Sequence, residues 1–259
     1  MPRFFVEPRR IVGGEVRITG NDVNHIARVL RLGPGDRITV LDGTGMEHEV
    51  EISSVSGQEV CGRIAASRRR QTEPRFRVTL IQGLPKAGKM DLIVQKCTEI
   101  GVARILPARM ERSVVELEGA RAAARVERWR KIAMEAAEQS GRAVVPVIGE
   151  VTTMAGVLDS KEFREAMESG RSLALMPWEG EDSMGLRRAL EAGQDRRPET
   201  AWLFIGPEGG FSLQEVENAR AAGVITVSLG PRILRTETAG FVALTLLLWE
   251  AGDLDAGPI

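Results

Sequence analysis

Short apolar strands alternate with helical stretches from Phe76 onward, and this alternation constrains the fold more than any other feature of the chain. The predicted strands read VTLIQ, RILPA, SLALM, AWLFI and ITVSL. Apolar runs separated by helices are typical of parallel strands joined by crossover helices. The sequence therefore predicts an α/β domain, in which ligands bind beyond the carboxyl ends of the strands.

The stretch before residue 73 is β-rich instead. The segments EVRITG, DRITVLDG and HEVEISSV alternate or are β-branched, and glycine-containing turns separate them. One short helix, Asp22 to Leu30, is predicted among them. The arginine-rich segment 67–75 is broken by a proline, and we interpret it as a linker. We predict two domains, a small β-barrel over residues 1–72 and an α/β domain over residues 73–259.

Composition excludes several classes of protein. The formal net charge of −1 argues against a protein that coats nucleic acid through a general positive field. The two cysteines lie far apart and there are two histidines, so neither a disulfide framework nor a histidine-rich metal site is expected. The longest apolar run, Phe241 to Trp249, is about half of a membrane span. Without a recognisable targeting segment, we expect a cytoplasmic protein with no metal and no membrane contact.

Two helices carry clear sequence signals. Ser212-Leu-Gln-Glu215 is a capping box, and Phe211 and Val216 are spaced to form the accompanying hydrophobic staple. Residues 119–141 show the apolar periodicity of a long amphipathic helix.

A first candidate motif runs from Gly83 to Lys89 and fits the phosphate-loop pattern GxxxxGK. Met90 stands where Ser or Thr would coordinate magnesium, so nucleotide hydrolysis is disfavoured. The three lysines Lys86, Lys89 and Lys96 have the spacing of one helix face. Taken alone, this face is more readily a solvated surface than a contact to RNA phosphates.

Three strand ends carry proline or glycine turns of similar form. The turn Ile205-Gly-Pro-Glu-Gly-Gly-Phe-Ser212 precedes a helix, and its adjacent glycines permit close approach of a ligand to the backbone. Leu229–Gly240 and Leu173–Glu179 repeat the strand-then-proline form. Three such loops at equivalent strand ends predict one pocket. Its apolar walls suit an adenine ring and a sulfonium or thioether better than a triphosphate.

The turn before the last apolar helix contains three notable polar residues. Thr236 is predicted to cap the helix, and Glu237 complements the positive end of the helix dipole. Arg235 is repelled by that same end, so its guanidinium requires an anion. The candidates are Glu237, Glu208 and a bound ligand.

Together, five segments of the chain resemble the ribosomal RNA small subunit methyltransferase E family. They are MPRFFVE (1–7), HIARVLR (25–31), the Lys86/Lys89/Lys96 segment with EIG (99–101), IGPEGGFS and LGPRILRTETA. The resemblance spans nearly the whole chain, and the last two segments are specific. Members of this family methylate N3 of a uridine in 16S rRNA, written m3U1498 in the family, using S-adenosyl-L-methionine.

The resemblance implies a fold and a set of site residues. The fold would be an N-terminal PUA-like β-barrel that holds RNA and a C-terminal SPOUT α/β domain, with a deep trefoil knot at about 173–250 and a homodimer. The implied cofactor-binding residues are Leu175, Met176, Pro177, Ile205, Gly206, Pro207, Glu208, Gly210, Leu229, Gly230, Arg232, Ile233, Leu234, Thr236 and Ala239. The predicted RNA-binding residues are Arg9, Arg10, Arg28, Arg31, Arg68, Arg69, Arg70, Lys86, Lys89 and Lys96.

The predicted catalytic residues are Arg235 and Glu237. Arg235 would stabilise negative charge on a uracil oxygen, and Glu237 or a water would accept the N3 proton. Because net charge is low, the assembled 30S subunit is the expected substrate rather than naked 16S rRNA. The alternatives are a SPOUT methyltransferase acting on another RNA, an inactive RNA-binding assembly factor, and a nucleotide-binding protein that uses Gly83–Lys89.

Overall fold

The computed structural model describes residues 1–193 and 198–255, and in it the chain forms two compact units. The first unit comprises Met1–Glu73 together with Ala137–Val145, and the second comprises Pro74–Ala136 and the chain from Pro146. The segment 137–145, which the sequence assigned to the second domain, joins the first because Glu73 binds it. The Glu73 carboxylate accepts hydrogen bonds from Arg142 Nη2 at 2.5 Å and from the Ala143 amide at 3.1 Å. The predicted boundary between residues 72 and 73 stays a prediction.

The first unit is built on one mixed sheet. Its strands are β1 (Arg3–Phe5), β2 (Ile11–Val12), β3 (Glu15–Thr19), β4 (Arg37–Leu41), β5 (Met46–Val55) and β6 (Glu59–Arg69). They lie in the order β1-β4-β5-β6-β3-β2, with β1 parallel to β4 and the other neighbours antiparallel. In β3, Val16 and Ile18 are buried while Arg17 between them is exposed, as expected for a sheet with one covered face.

Two local predictions for this unit need correction. The helix expected at 22–30 is a short helix α1 (Asn21–Asn24) that widens into a π-helical turn over His25–Val29. The expected linker 67–75 is wrong for its first residues, because β6 continues to Arg69. The strand extends this far since Arg68 and Arg70 both pair with the buried carboxylate of Glu47 on β5.

The second unit contains a parallel sheet. Its strands are β7 (Arg77–Gly83), β8 (Arg104–Arg109), β9 (Val147–Ile148), β10 (Thr152–Thr153), β11 (Ser172–Pro177), β12 (Thr200–Ile205) and β13 (Ile225–Val227). They lie in the order β10-β8-β7-β12-β11-β13, and β9 pairs with β8. The pairings are parallel, and the central residues of β8, β11 and β12 are buried in continuous runs. The five strands predicted from the sequence are all confirmed.

Helices follow most of these strands. They are α2 (Lys89–Ile100), α3 (Gly119–Ser140), α4 (Met154–Leu158), α5 (Lys161–Glu168), α6 (Leu186–Gly193), α7 (Leu213–Ala221) and α8 (Thr236–Glu250). The predicted capping box at the start of α7 is confirmed, with reciprocal hydrogen bonds between Ser212 and Glu215. Phe211 and Val216 beside it are buried in one apolar cluster. Within residues 1–193 and 198–255, no helix is long and apolar enough to cross a membrane.

Candidate active site

Four neighbouring parallel strands end at the same edge of the sheet in the second unit. In the order β7, β12, β11 and β13, their pairing aligns Gln82 with Ile205, Leu203 with Leu175, and Pro177 with Val227. Since aligned parallel strands deliver their following loops to one edge, the three loops expected to wall a pocket lie side by side.

Two adjoining cavities lie among these loops. The first, of about 470 Å³, lies between the loop after β11 and the loop after β13. The second, of about 540 Å³, lies between the loop after β12 and the start of α8. Each volume is in the range of small-molecule sites. Five residues line both cavities, namely Pro177, Glu179, Ile233, Leu234 and Ala239.

Most of the predicted cofactor residues line one or both cavities. They are Pro177, Ile205, Gly206, Pro207, Glu208, Gly210, Leu229, Gly230, Arg232, Ile233, Leu234, Thr236 and Ala239. Leu175 and Met176 do not, because both are fully buried in β11 beneath the loop. Lining residues outside the cofactor loops expected from the sequence are Lys89, Glu179, Glu181, Asp182, Phe211 and Ser228.

Lys89 ties the loop after β12 to the start of α8. Its Nζ lies 3.0 Å from Oε1 of Glu208 and 3.2 Å from Oε2 of Glu237. The Glu208 carboxylate also accepts a hydrogen bond from the backbone amide of Lys86 at 3.1 Å. The hydrogen bond to Glu208 raises the pKa of Lys89 despite partial desolvation. Burial alone would raise the pKa of Glu208, but these hydrogen bonds hold it below its usual value.

These contacts give the GxxxxGK segment a structural role that requires no nucleotide. The carboxylate of Glu208 takes the position at the start of α2 where a phosphate would bind. It accepts a hydrogen bond from the Lys86 amide and forms an ion pair with Lys89. Lys86 precedes α2, so the prediction that Lys86, Lys89 and Lys96 share one helix face is wrong for Lys86. The sequence missed this pairing because Lys86 and Glu208 are 122 residues apart.

Thr236 links the start of α8 to two strands of the sheet. Its hydroxyl donates to the carbonyl oxygen of Gly206 at 2.5 Å and accepts from Nε2 of Gln82 at 2.9 Å. The prediction that Thr236 caps α8 is wrong, because Arg235 occupies the N-cap position and makes no side-chain capping bond. Thr236 instead fixes the loop after β12 against α8.

Replacing Thr236 with valine is expected to lower the free energy of unfolding by about 1–3 kcal/mol, because the Gly206 carbonyl oxygen loses its hydrogen bond from Thr236 and Gln82 Nε2 loses one of its two acceptors. Thr238, two residues along α8 and partly buried, provides the matched control. Thr238→Val is expected to change stability by less than about 0.5 kcal/mol. Urea denaturation of both variants measures the difference. Equal destabilisation would contradict the role assigned to the Thr236 hydroxyl.

Arg235 lines the second cavity with an exposed side chain. The two carboxylates that the sequence offered as its partners, Glu208 and Glu237, pair with Lys89 instead. In the part of the chain that the structure describes, Arg235 has no ion pair. The sequence offers three anions as partners for Arg235, and a bound ligand is the one that remains once Glu208 and Glu237 are paired with Lys89.

The segment after β8 packs closely against the loop after β12. Arg112 Nη1 donates to the Gly209 carbonyl oxygen at 3.0 Å, and the Glu111 amide donates to Glu215 at 2.9 Å. A Cβ on Gly209 would lie 2.9 Å from Cβ of Arg112, so this position has no room for a side chain. Sequence reasoning missed Arg112, whose contact is to a residue 97 positions away.

A polar cluster supports the outer wall of the first cavity. The Glu181 carboxylate accepts hydrogen bonds from Thr226 at 2.6 Å and Ser183 at 2.7 Å, which lower its pKa to about 2. The Arg220 guanidinium pairs with Glu181 at 3.1 Å and lies 5.3 Å from the ring centre of Trp178. The cluster thereby fixes the tryptophan that lines the cavity.

Comparison with known proteins identifies the family. A family model described as an RNA methyltransferase domain matches residues 72–248, and one described as an RNA methyltransferase PUA domain matches residues 18–65. Ribosomal RNA small subunit methyltransferase E of Bacillus subtilis is 35% identical over 96% of this chain and 97% of its own length. The chain belongs to the ribosomal RNA small subunit methyltransferase E family. The family resemblance and the PUA and α/β fold expected from the sequence are confirmed, whereas the knot stays a prediction.

A second curated protein of the methyltransferase E family and two solved structures match equally broadly. The Mycobacterium tuberculosis protein of that name is 30% identical, covering 97% of this chain and 95% of its own. The Neisseria gonorrhoeae structure, bound to S-adenosyl methionine, is 33% identical with a TM-score of 0.81 and covers 95% and 96% of the two chains. A putative methyltransferase from Legionella pneumophila, in complex with the same cofactor, is 29% identical with a TM-score of 0.81 and covers 96% and 97%.

The RNA-binding residues predicted for a methyltransferase E protein fall into two groups. Six of them form ion pairs with carboxylates, namely Arg9, Arg10, Arg68, Arg70, Lys89 and Lys96. The others are exposed and have no carboxylate partner among the described residues, namely Arg28, Arg31, Arg69 and Lys86. Arg31 also has a positive φ of 56°, which is uncommon for a residue with a side chain. In the same described part, no group of three or more acidic, histidine or cysteine side chains could hold a metal ion.

Proposed function

We propose that this chain transfers the methyl group of S-adenosylmethionine to N3 of a uridine in 16S rRNA. The observation that carries the proposal is the meeting of three strand-end loops at two adjoining cavities. The Arg235 guanidinium, which has no ion pair among the described residues, lines the second cavity. Membership of the methyltransferase E family supports a ribosomal RNA substrate, and the cofactor in two related structures supports the methyl donor.

The residues around the cavities fit this cofactor. Pro177, Leu229, Ile233 and Leu234 offer apolar walls for an adenine ring, and the loop at Gly206–Gly210 offers backbone groups. S-adenosylmethionine supplies an activated methyl group, so the protein's part is to align the donor with the base and assist loss of its N3 proton.

Arg235 is proposed to stabilise the uracil anion. Its guanidinium is planar, permanently charged and without a carboxylate partner in the described chain, so it can donate to a uracil oxygen as negative charge develops. The sequence offers two acceptors for the N3 proton, Glu237 and water. Glu237 is not among the residues that line the two cavities, and it pairs with Lys89. This favours water as the immediate acceptor and gives Glu237 the role of holding Lys89.

The quaternary state and location also belong to this proposal. We propose a homodimer, and the exposed Leu246 and Trp249 on α8 provide an apolar surface consistent with one. We also propose a trefoil knot at about 173–250, which the family resemblance implies. A cytoplasmic location, expected from the composition, completes the proposal.

The proposal predicts where methylation occurs. Assembled 30S subunits are expected to be methylated at least tenfold faster than naked 16S rRNA, because a protein of net charge −1 binds arbitrary RNA weakly. Primer extension measures it, since N3 methylation blocks base pairing and stops the polymerase. Equal rates on both substrates would contradict the preference for 30S, and a stop that persists in cells lacking the gene would contradict the assignment itself.

Calorimetric titration separates the rival functions. S-adenosylmethionine binding with no stop on 16S rRNA would favour a methyltransferase acting on another RNA. No binding at all would favour an inactive assembly factor. ATP binding that requires magnesium would restore the nucleotide-binding alternative, which the contacts of Glu208 disfavour.

A further inference from the structure

Glu179 stands where the two cavities meet. Among the residues that line both, it is the one that ionises, since its companions Pro177, Ile233, Leu234 and Ala239 are apolar. Its position against the backbone is close, because a Cβ on Gly210 would lie 2.5 Å from Oε1 of Glu179. Gly210 has a φ of +68°, and this backbone conformation favours glycine at the turn.

Two neighbouring carboxylates have partners, whereas Glu179 has none in the part of the chain that the structure describes. Glu208 pairs with Lys89, and Glu181 is bound by Thr226, Ser183 and Arg220. Glu179 is exposed and has neither a hydrogen bond nor an ion pair within residues 1–193 and 198–255. Asp182 is likewise exposed, but it lines the first cavity alone. Glu179 is therefore the available negative charge at the junction of the two cavities.

We propose that the Glu179 carboxylate recognises the positive charge of the methyl donor and so distinguishes the donor from its neutral product. The inference rests on the proposed function, because the charge concerned is the sulfonium of S-adenosylmethionine. A sulfonium has no N–H or O–H group, so a protein recognises it through charge rather than through hydrogen bonds. The sulfonium lies between the adenosyl and methionyl halves of the donor, and Glu179 lies between the two cavities that would hold those halves.

This role predicts a particular division between binding and catalysis. The carboxylate attracts the donor in its ground state, and the attraction weakens as the methyl group leaves and the sulfur becomes neutral. An interaction that is not stronger in the transition state raises affinity without raising kcat. Glu179 would thus favour donor entry and product exit, making it a specificity-determining residue for the proposed reaction.

The test is calorimetric titration of the full chain with S-adenosylmethionine and S-adenosylhomocysteine. Glu179→Gln is expected to weaken binding of the charged donor about tenfold and to leave binding of the neutral product within about twofold of wild type. Glu191→Gln, the same substitution at an exposed position of α6 that lines neither cavity, is expected to leave both affinities within about twofold. At saturating donor, kcat of Glu179→Gln on 30S subunits should not fall more than about twofold below wild type, because the lost attraction is weaker in the transition state than in the ground state.

Three results would overturn the inference and leave the proposed function standing. They are equal weakening of both ligands by Glu179→Gln, the same donor-selective loss in Glu191→Gln, and a large fall in kcat of Glu179→Gln with the ratio of affinities unchanged. Failure of the wild-type protein to bind either ligand would instead count against the proposed function itself.

Discussion

Replacing Arg235 with alanine is expected to lower kcat for methyl transfer about 10²–10³-fold, while the dissociation constant of S-adenosylmethionine changes less than about threefold. Arg235 lines the second cavity, is exposed, and has no carboxylate partner in residues 1–193 and 198–255. A donor aimed at charge that develops only during the reaction contributes to kcat rather than to cofactor affinity. Single-turnover kinetics on 30S subunits and calorimetric titration measure the two quantities.

Two further variants make the test specific. Arg235→Lys keeps the charge but loses the planar fork, so an intermediate kcat is expected if the guanidinium binds a uracil oxygen in a defined geometry. Arg232→Ala removes a neighbouring guanidinium that lines the first cavity, and its effect is expected on cofactor affinity rather than on kcat. Parallel loss of cofactor binding and turnover in Arg235→Ala would show that Arg235 is structural.

Local sequence signals were sufficient for the elements that position the site. The buried runs of β8, β11 and β12 and the capping box at Ser212 depend on residues close in sequence, and each formed as predicted. The meeting of the three loops followed from the parallel order of the strands, which fixes the edge of the sheet to which their ends point.

Contacts between distant residues were not predictable in the same way. Gln82 and Thr236, which hold the loop after β12 in place, are 154 residues apart. The prediction that Thr236 caps α8 failed because its hydroxyl is used in this distant contact. Lys89 was predicted to bind RNA together with the family resemblance, and its spacing gave no sign that it bridges Glu208 and Glu237. Hydrophobic periodicity shows which face of a helix or strand is buried. It does not show which distant polar group forms a hydrogen bond or ion pair with a residue of that element.

Alanine at the two glycines of the GxxxxGK segment is expected to have very different effects on cofactor affinity and stability, large at Gly83 and small at Gly88. A Cβ on Gly83 would lie 2.6 Å from the backbone nitrogen of Pro207 and 2.9 Å from the sulfur of Met110. Because backbone must move to relieve the first contact, the loop after β12 is expected to shift away from the cavity. Gly83→Ala should weaken S-adenosylmethionine binding at least tenfold and destabilise the fold by about 1–3 kcal/mol. Gly88, at the N-cap of α2, has no atom within 4 Å of an added Cβ.

Gly88→Ala is therefore expected to leave cofactor affinity within about twofold of wild type and to cost less than about 1 kcal/mol of stability, through the poorer N-cap. Calorimetric titration and urea denaturation of both variants, with circular dichroism to confirm folding, measure the contrast. In a true phosphate loop the second glycine lies beside the nucleotide, so a loss in Gly88→Ala as large as in Gly83→Ala would restore that alternative. Normal cofactor binding by a folded Gly83→Ala variant would instead show that the contact between Gly83 and Pro207 does not shape the cavity. The predicted asymmetry follows from two structural facts: Gly83 packs against Pro207, and Glu208 rather than a phosphate occupies the start of α2 beside Gly88.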